Sequence, residues 1–85
     1  MNTDYLIAVF RSRQQATAFL MSLKRAGVEA TMISSPASLA RGCGVSVRFP
    51  AYERERIMRQ GAWQKMTAFD GFYFYDEEKK RFVAL

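Results

Sequence analysis

The chain has 85 residues, a net charge of +5, 49% hydrophobic residues, one cysteine and no histidine. A chain this short is expected to be a single domain over residues 1–85, burying roughly 60–65% of its unfolded surface around one modest core. One cysteine excludes an internal disulfide, and the lack of histidine excludes Ser-His-Asp and Cys-His nucleophile pairs and a structural zinc set. Any chemistry must therefore use a thiolate, carboxylates, or lysine and arginine, and no cofactor or metal is expected.

No stretch approaches the roughly 20 apolar residues of a membrane span. Acidic Asp4 precedes the short apolar run at Tyr5, where a signal peptide would carry basic residues. With a free cysteine, a reducing cytoplasm is the expected location, and no membrane contact is expected. The arginine-rich charge favours anionic partners without naming one.

Tyr5 to Phe10 is continuously apolar, as in a central strand covered on both faces. Ser12 and Gln15 form a capping-box pattern, and Ala16, Phe19, Leu20, Leu23 and Ala26 follow at helical spacing until Gly27 stops the helix. Val28 to Ser34 alternates as a half-buried strand. Pro36 can open a single helical turn through Leu39 with Ser35 as its cap.

Val45, Val47 and Phe49 alternate with Ser46 and Arg48 in a third strand, and Pro50 leads into a second helix, Ala51 to Gln60. Met66 to Asp76 reads as one long strand bulged at Asp70-Gly71. The same Asp-Gly pair is also a two-residue hairpin signal. Glu77 to Lys80 is then a turn, and Arg81 to Leu85 a short return strand.

The order is β-α-β-β-α-β plus a C-terminal strand, which predicts an α+β, ferredoxin-like split βαβ fold. Its antiparallel sheet has the order 4-1-3-2, with both helices on one face. Phe72 and Phe74 fall on the core side, Tyr73 and Tyr75 on the open side. Arg48 shares the open face with Ser46, there to bind an anion or pair with an acid such as Glu29.

Strand three starts where strand one ends, so this topology sets Cys43 beside the first turn of helix one, at the surface or in a shallow pocket. Gly42 and Gly44 flank it and leave the backbone open. The helix terminus at Ser12, with Arg11, Arg13 and Arg41, would stabilise a thiolate and lower its pKa from roughly 8.5 toward 3.5–7.5. The same corner suits a small anion.

Several short pieces in order carry a resemblance: Tyr5-Leu6-Ile7, Phe10-Arg11-Ser12, Leu23-Lys24, Gly27, Met32-Ile33, Pro36, Leu39, Cys43-Gly44 and Arg48-Phe49. Together, over about Tyr5 to Asp76, the chain resembles the small bacterial domains known as selenium/sulfur carrier protein-like. The resemblance implies that Cys43 carries sulfur or selenium as a persulfide or selenosulfide, as a relay between donor and acceptor proteins and not as a stand-alone enzyme. The arginine-rich second helix and the aromatic run Phe72 to Tyr75 depart from the usual pattern.

Two other readings stand beside it. The first is a regulatory or assembly domain that binds a protein partner through its open sheet face, a second copy included. The second is an anion or nucleic-acid binder that stacks bases on the aromatic run Phe72 to Tyr75. The third strand, Val45 to Phe49, lacks the aromatic-Gly signature that such sheets carry, which counts against nucleic acid.

Overall fold

The structure, a computed structural model, describes residues 5–40 and 44–85. Strand β1 (Tyr5–Phe10) leads into helix α1 (Arg13–Arg25), and β2 (Thr31–Ser34), a 3-10 turn at Ala37–Leu39 and β3 (Val45–Pro50) follow. A second 3-10 turn (Ala51–Glu53) runs into α2 (Arg54–Gln60), and a third (Ala62–Lys65) precedes β4 (Phe69–Asp76) and β5 (Arg81–Ala84). The strands form one sheet in the order β2-β3-β1-β4-β5, antiparallel at every junction. This is the ferredoxin-like split βαβ arrangement, extended at one edge by β5.

The sequence of β1 explains its central place. Leu6 to Phe10 are all buried, and a strand apolar at every position suits both faces to burial. Leu6, Ala8 and Phe10 join Val47, Phe49 and Phe72 in one core with Ala16, Phe19 and Leu23 of α1 and Ile57 of α2. Both helices therefore lie on the same face of the sheet. The ring of Phe72 meets that of Phe49 edge-on at 5.9 Å and that of Trp63 at 5.3 Å.

Helix α1 starts and stops as its sequence demands. Ser12 is the N-cap, its Oγ accepting from the Gln15 N–H at 3.2 Å. At the other end Val28 N–H donates to Leu23 O and Gly27 N–H to Lys24 O, with Gly27 at φ 82°. That pair of bonds is a Schellman closure, and buried Leu23 and Val28 supply its apolar contact.

Several boundaries differ from the sequence expectation, each for a local reason. Strand β2 begins at Thr31, not Val28, although Val28 and Ala30 are buried and Glu29 exposed in the expected alternation. The β2–β3 register would set Glu29 against Pro50, which has no N–H for the ladder. Ser35 does not cap the turn at Ala37–Leu39; Pro36 stands at that position, and the Ser35 hydroxyl instead bonds Ser46 Oγ at 2.6 Å. The second helix is a 3-10 turn before it becomes α-helical at Arg54, and Ile57 is its buried anchor.

Strand β4 starts at Phe69 because the 3-10 turn at Ala62–Lys65 and a further turn consume the residues before it. The bulge expected at Asp70-Gly71 is present: Val9 pairs with Gly71 but Phe10 with Phe69, leaving Asp70 as the extra residue. Gly71 sits at φ 121°, a conformation that side-chain-bearing residues rarely adopt. Gly71→Ala is therefore expected to lower stability by about 1–3 kcal/mol. The check is a lower urea midpoint at unchanged slope.

Candidate functional site

The end of the sheet where β1 finishes gathers the termini of β1, β2, β3 and β4, with Phe69 of β4 pairing with Phe10. Phe10 pairs with Val45 of β3, and Val45 pairs with Ser34 of β2. Ser35 N–H then donates to the Gly44 carbonyl at 2.8 Å, closing the β2–β3 connection. Beyond Phe10 the chain passes through Arg11 and Ser12 into α1. Gly44, Arg11, Ser12 and Arg13 are thus brought to one end of the sheet. Arg41, Gly42 and Cys43 lie outside the described residues.

Gly44 has φ 69°, and a Cβ built on it would meet nothing within 4 Å among the described residues beyond its chain neighbours. The backbone next to Cys43 in sequence is therefore open on that side. Ser12 Oγ is occupied by its capping bond to Gln15 N–H. Arg13 is exposed and forms no ion pair among the described residues.

Arg11 is held by partners of its own. Its Nε donates to Asp70 Oδ1 at 2.8 Å and its Nη2 to the Thr67 carbonyl at 2.7 Å, while its backbone N–H bonds the Ala68 carbonyl. Gln15 works beside it: Nε2 donates to Thr67 Oγ1, and Oε1 accepts from the Ala68 N–H at 2.7 Å. These two side chains tie the turn before β4 to the start of α1. A Ser-x-x-Gln pattern would normally send Gln15 back to its own cap. Contacts across more than 50 residues left no local signal, apart from the bulge that presents Asp70.

The opposite face of the sheet holds a second feature. A cleft of about 420 Å3 there includes Tyr5, Ile7, Arg48, Tyr73, Tyr75 and Phe82 in its lining. The Arg48 guanidinium lies over the Tyr5 ring, 4.6 Å from its centre, and makes no ion pair with Glu29. Among the described residues, no helix is long and apolar enough to cross a membrane, and no three acids cluster as a metal set would require.

A family model described as "Putative Se/S carrier protein-like" matches residues 5–65, well over half of the chain. The matched span includes Cys43 and ends before β4, short of the Asp76 limit expected from the sequence. No curated protein and no solved structure matches the chain.

The clamp between α1 and the β4 turn predicts a contrast. Gln15→Ala removes the acceptor for the Ala68 N–H, at an expected cost of about 1–3 kcal/mol. Gln15→Glu retains that acceptor and is expected to lose less. Arg13→Ala, on an exposed side chain, is expected to change stability by no more than about 0.5 kcal/mol. Urea denaturation of the three variants checks the order.

Proposed function

The chain belongs to the Se/S carrier-like family, and on that premise we propose that it holds a transferable sulfur or selenium atom on Cys43. The observation that carries this reading is the family match itself, because the matched span contains the chain's one cysteine.

Thiol-to-thiol transfer needs no histidine, metal or oxidant. The Cys43 thiolate attacks the terminal sulfur of a donor persulfide. A bond forms from Sγ to that sulfur, the donor's S–S bond breaks, and the donor thiolate leaves with the electron pair. The transferred sulfur keeps its proton or releases it to water. Selenium follows the same displacement and gives a selenosulfide. An acceptor thiolate then takes the terminal atom and restores the Cys43 thiolate.

Such a carrier needs access and positive surroundings, since both thiolate and persulfide are anions. The open backbone at Gly44 supports the first requirement. Arg13, at the start of α1, supports the second, with Arg41 close in sequence to Cys43. Arg11 adds less, because Asp70 partners it. Having no second cysteine, the chain cannot discharge its cargo through an internal disulfide. Donor and acceptor must be separate molecules, in a compartment reducing enough to keep the thiol free.

The test is intact mass after incubation with a cysteine desulfurase and cysteine. The expected result is a reductant-sensitive gain of one sulfur atom in the wild type and none in Cys43→Ser, with the two proteins melting alike. Alkylation of Cys43 is expected to follow a pH midpoint below the ordinary thiol value of about 8.5. An ordinary midpoint with no persulfide would make Cys43 structural and overturn the proposal.

A further inference from the structure

The sheet face away from the helices is not finished like a solvent surface. Tyr5 is 50% exposed and Tyr75 38% exposed, on strands that flank the cleft. Tyr75 packs edge-on against Phe82 at 5.1 Å, and Arg48 is held over Tyr5. Tyrosine, phenylalanine and arginine are the side chains enriched at the buried centres of protein interfaces. Here they are already ordered by one another, so little rotamer freedom is left to lose on association.

We propose that this face is the interface of a homodimer, and that its occupant is a second copy of this chain. The charges favour that occupant. Arg48 and Glu77 both line the cleft, and neither is in an ion pair among the described residues. Among the described residues the cleft lining is thus balanced within itself, although the chain as a whole carries +5. A two-fold contact sets one surface against its own copy. With the two-fold axis passing between them, Arg48 of each copy meets Glu77 of the other.

A nucleic-acid strand would want a track of cations along the cleft. Among the described residues this cleft offers one arginine, opposed by a glutamate. Size is also adequate. The molecule is a slab of 33 × 28 × 18 Å, one sheet and one helix layer thick. Its broad face can supply the roughly 800 Å2 that each partner gives a standard interface. The proposal makes no use of Cys43 and stands apart from the thiol reading.

The test is sedimentation of the full chain over a range of concentrations, with reductant present so that Cys43 cannot join copies. The wild type is expected to dimerise reversibly. Arg48→Glu and Glu77→Arg are each expected to weaken the dimer by more than about tenfold through like-charge contact. The double variant is expected to recover most of that loss. Thermal melts confirm that all three fold. A wild type that stays monomeric at about 1 mM overturns the proposal, since interfaces of this size bind at micromolar levels or tighter. So does a dimer indifferent to both single reversals, or a double variant no better than either single. Saturable binding of a single-stranded oligonucleotide by a monomeric wild type would assign the face to nucleic acid instead.

Discussion

Burial of β1 on both sides is the constraint on which the rest of the structure depends. Phe10, Ala8 and Leu6 point into the helix layer, while Val9 and Ile7 are also buried on the other face. A strand of this kind cannot sit at an edge, where its backbone groups would face solvent unpaired. It takes β3 on one side and β4 on the other, both antiparallel. With β1 fixed between them, β2 extends the sheet beyond β3, and β5 beyond β4. The helices then cover the face where Phe19, Leu23 and Ile57 find Phe10, Phe49 and Phe72.

The parts legible in the sequence are those set by local chemistry. The apolar run of β1, the Ser12 cap, the Gly27 stop and the Asp70-Gly71 bulge each announce themselves within a few residues. What stayed hidden depends on a partner distant in the chain. Pro50 shortens β2 only because the register sets it against Glu29. Gln15 looks like half of a capping box, yet its amide serves Thr67 and Ala68. Ser35 looks like a cap but its hydroxyl turns to Ser46, a fully buried polar residue for which that bond avoids a desolvation penalty.

The candidate site divides along the same line. That any thiol chemistry would rest on one residue follows from composition, since there is one cysteine and no histidine. That Gly44, Arg11, Ser12 and Arg13 come to one end of the sheet follows from topology, which the order of elements predicts. How each arginine is used does not follow from either. Arg11 and Arg13 look equivalent in sequence. One is locked to Asp70 and the turn before β4, and the other is exposed without an ion pair among the described residues.

Counting arginines therefore overstates the positive charge available at any one place. Arg56 bonds the Ala26 carbonyl and pairs with Glu53, which ties α2 to the end of α1. Arg59 faces Glu55 one turn earlier, and Arg48 rests on Tyr5. These contacts do not remove the net charge of +5, which still draws anions at long range. They do decide which cations can close on an anion at short range without first giving up a partner. At the start of α1 that role falls to Arg13. Asp70 keeps Arg11 oriented toward the β4 turn, where its contribution is to hold the corner in shape.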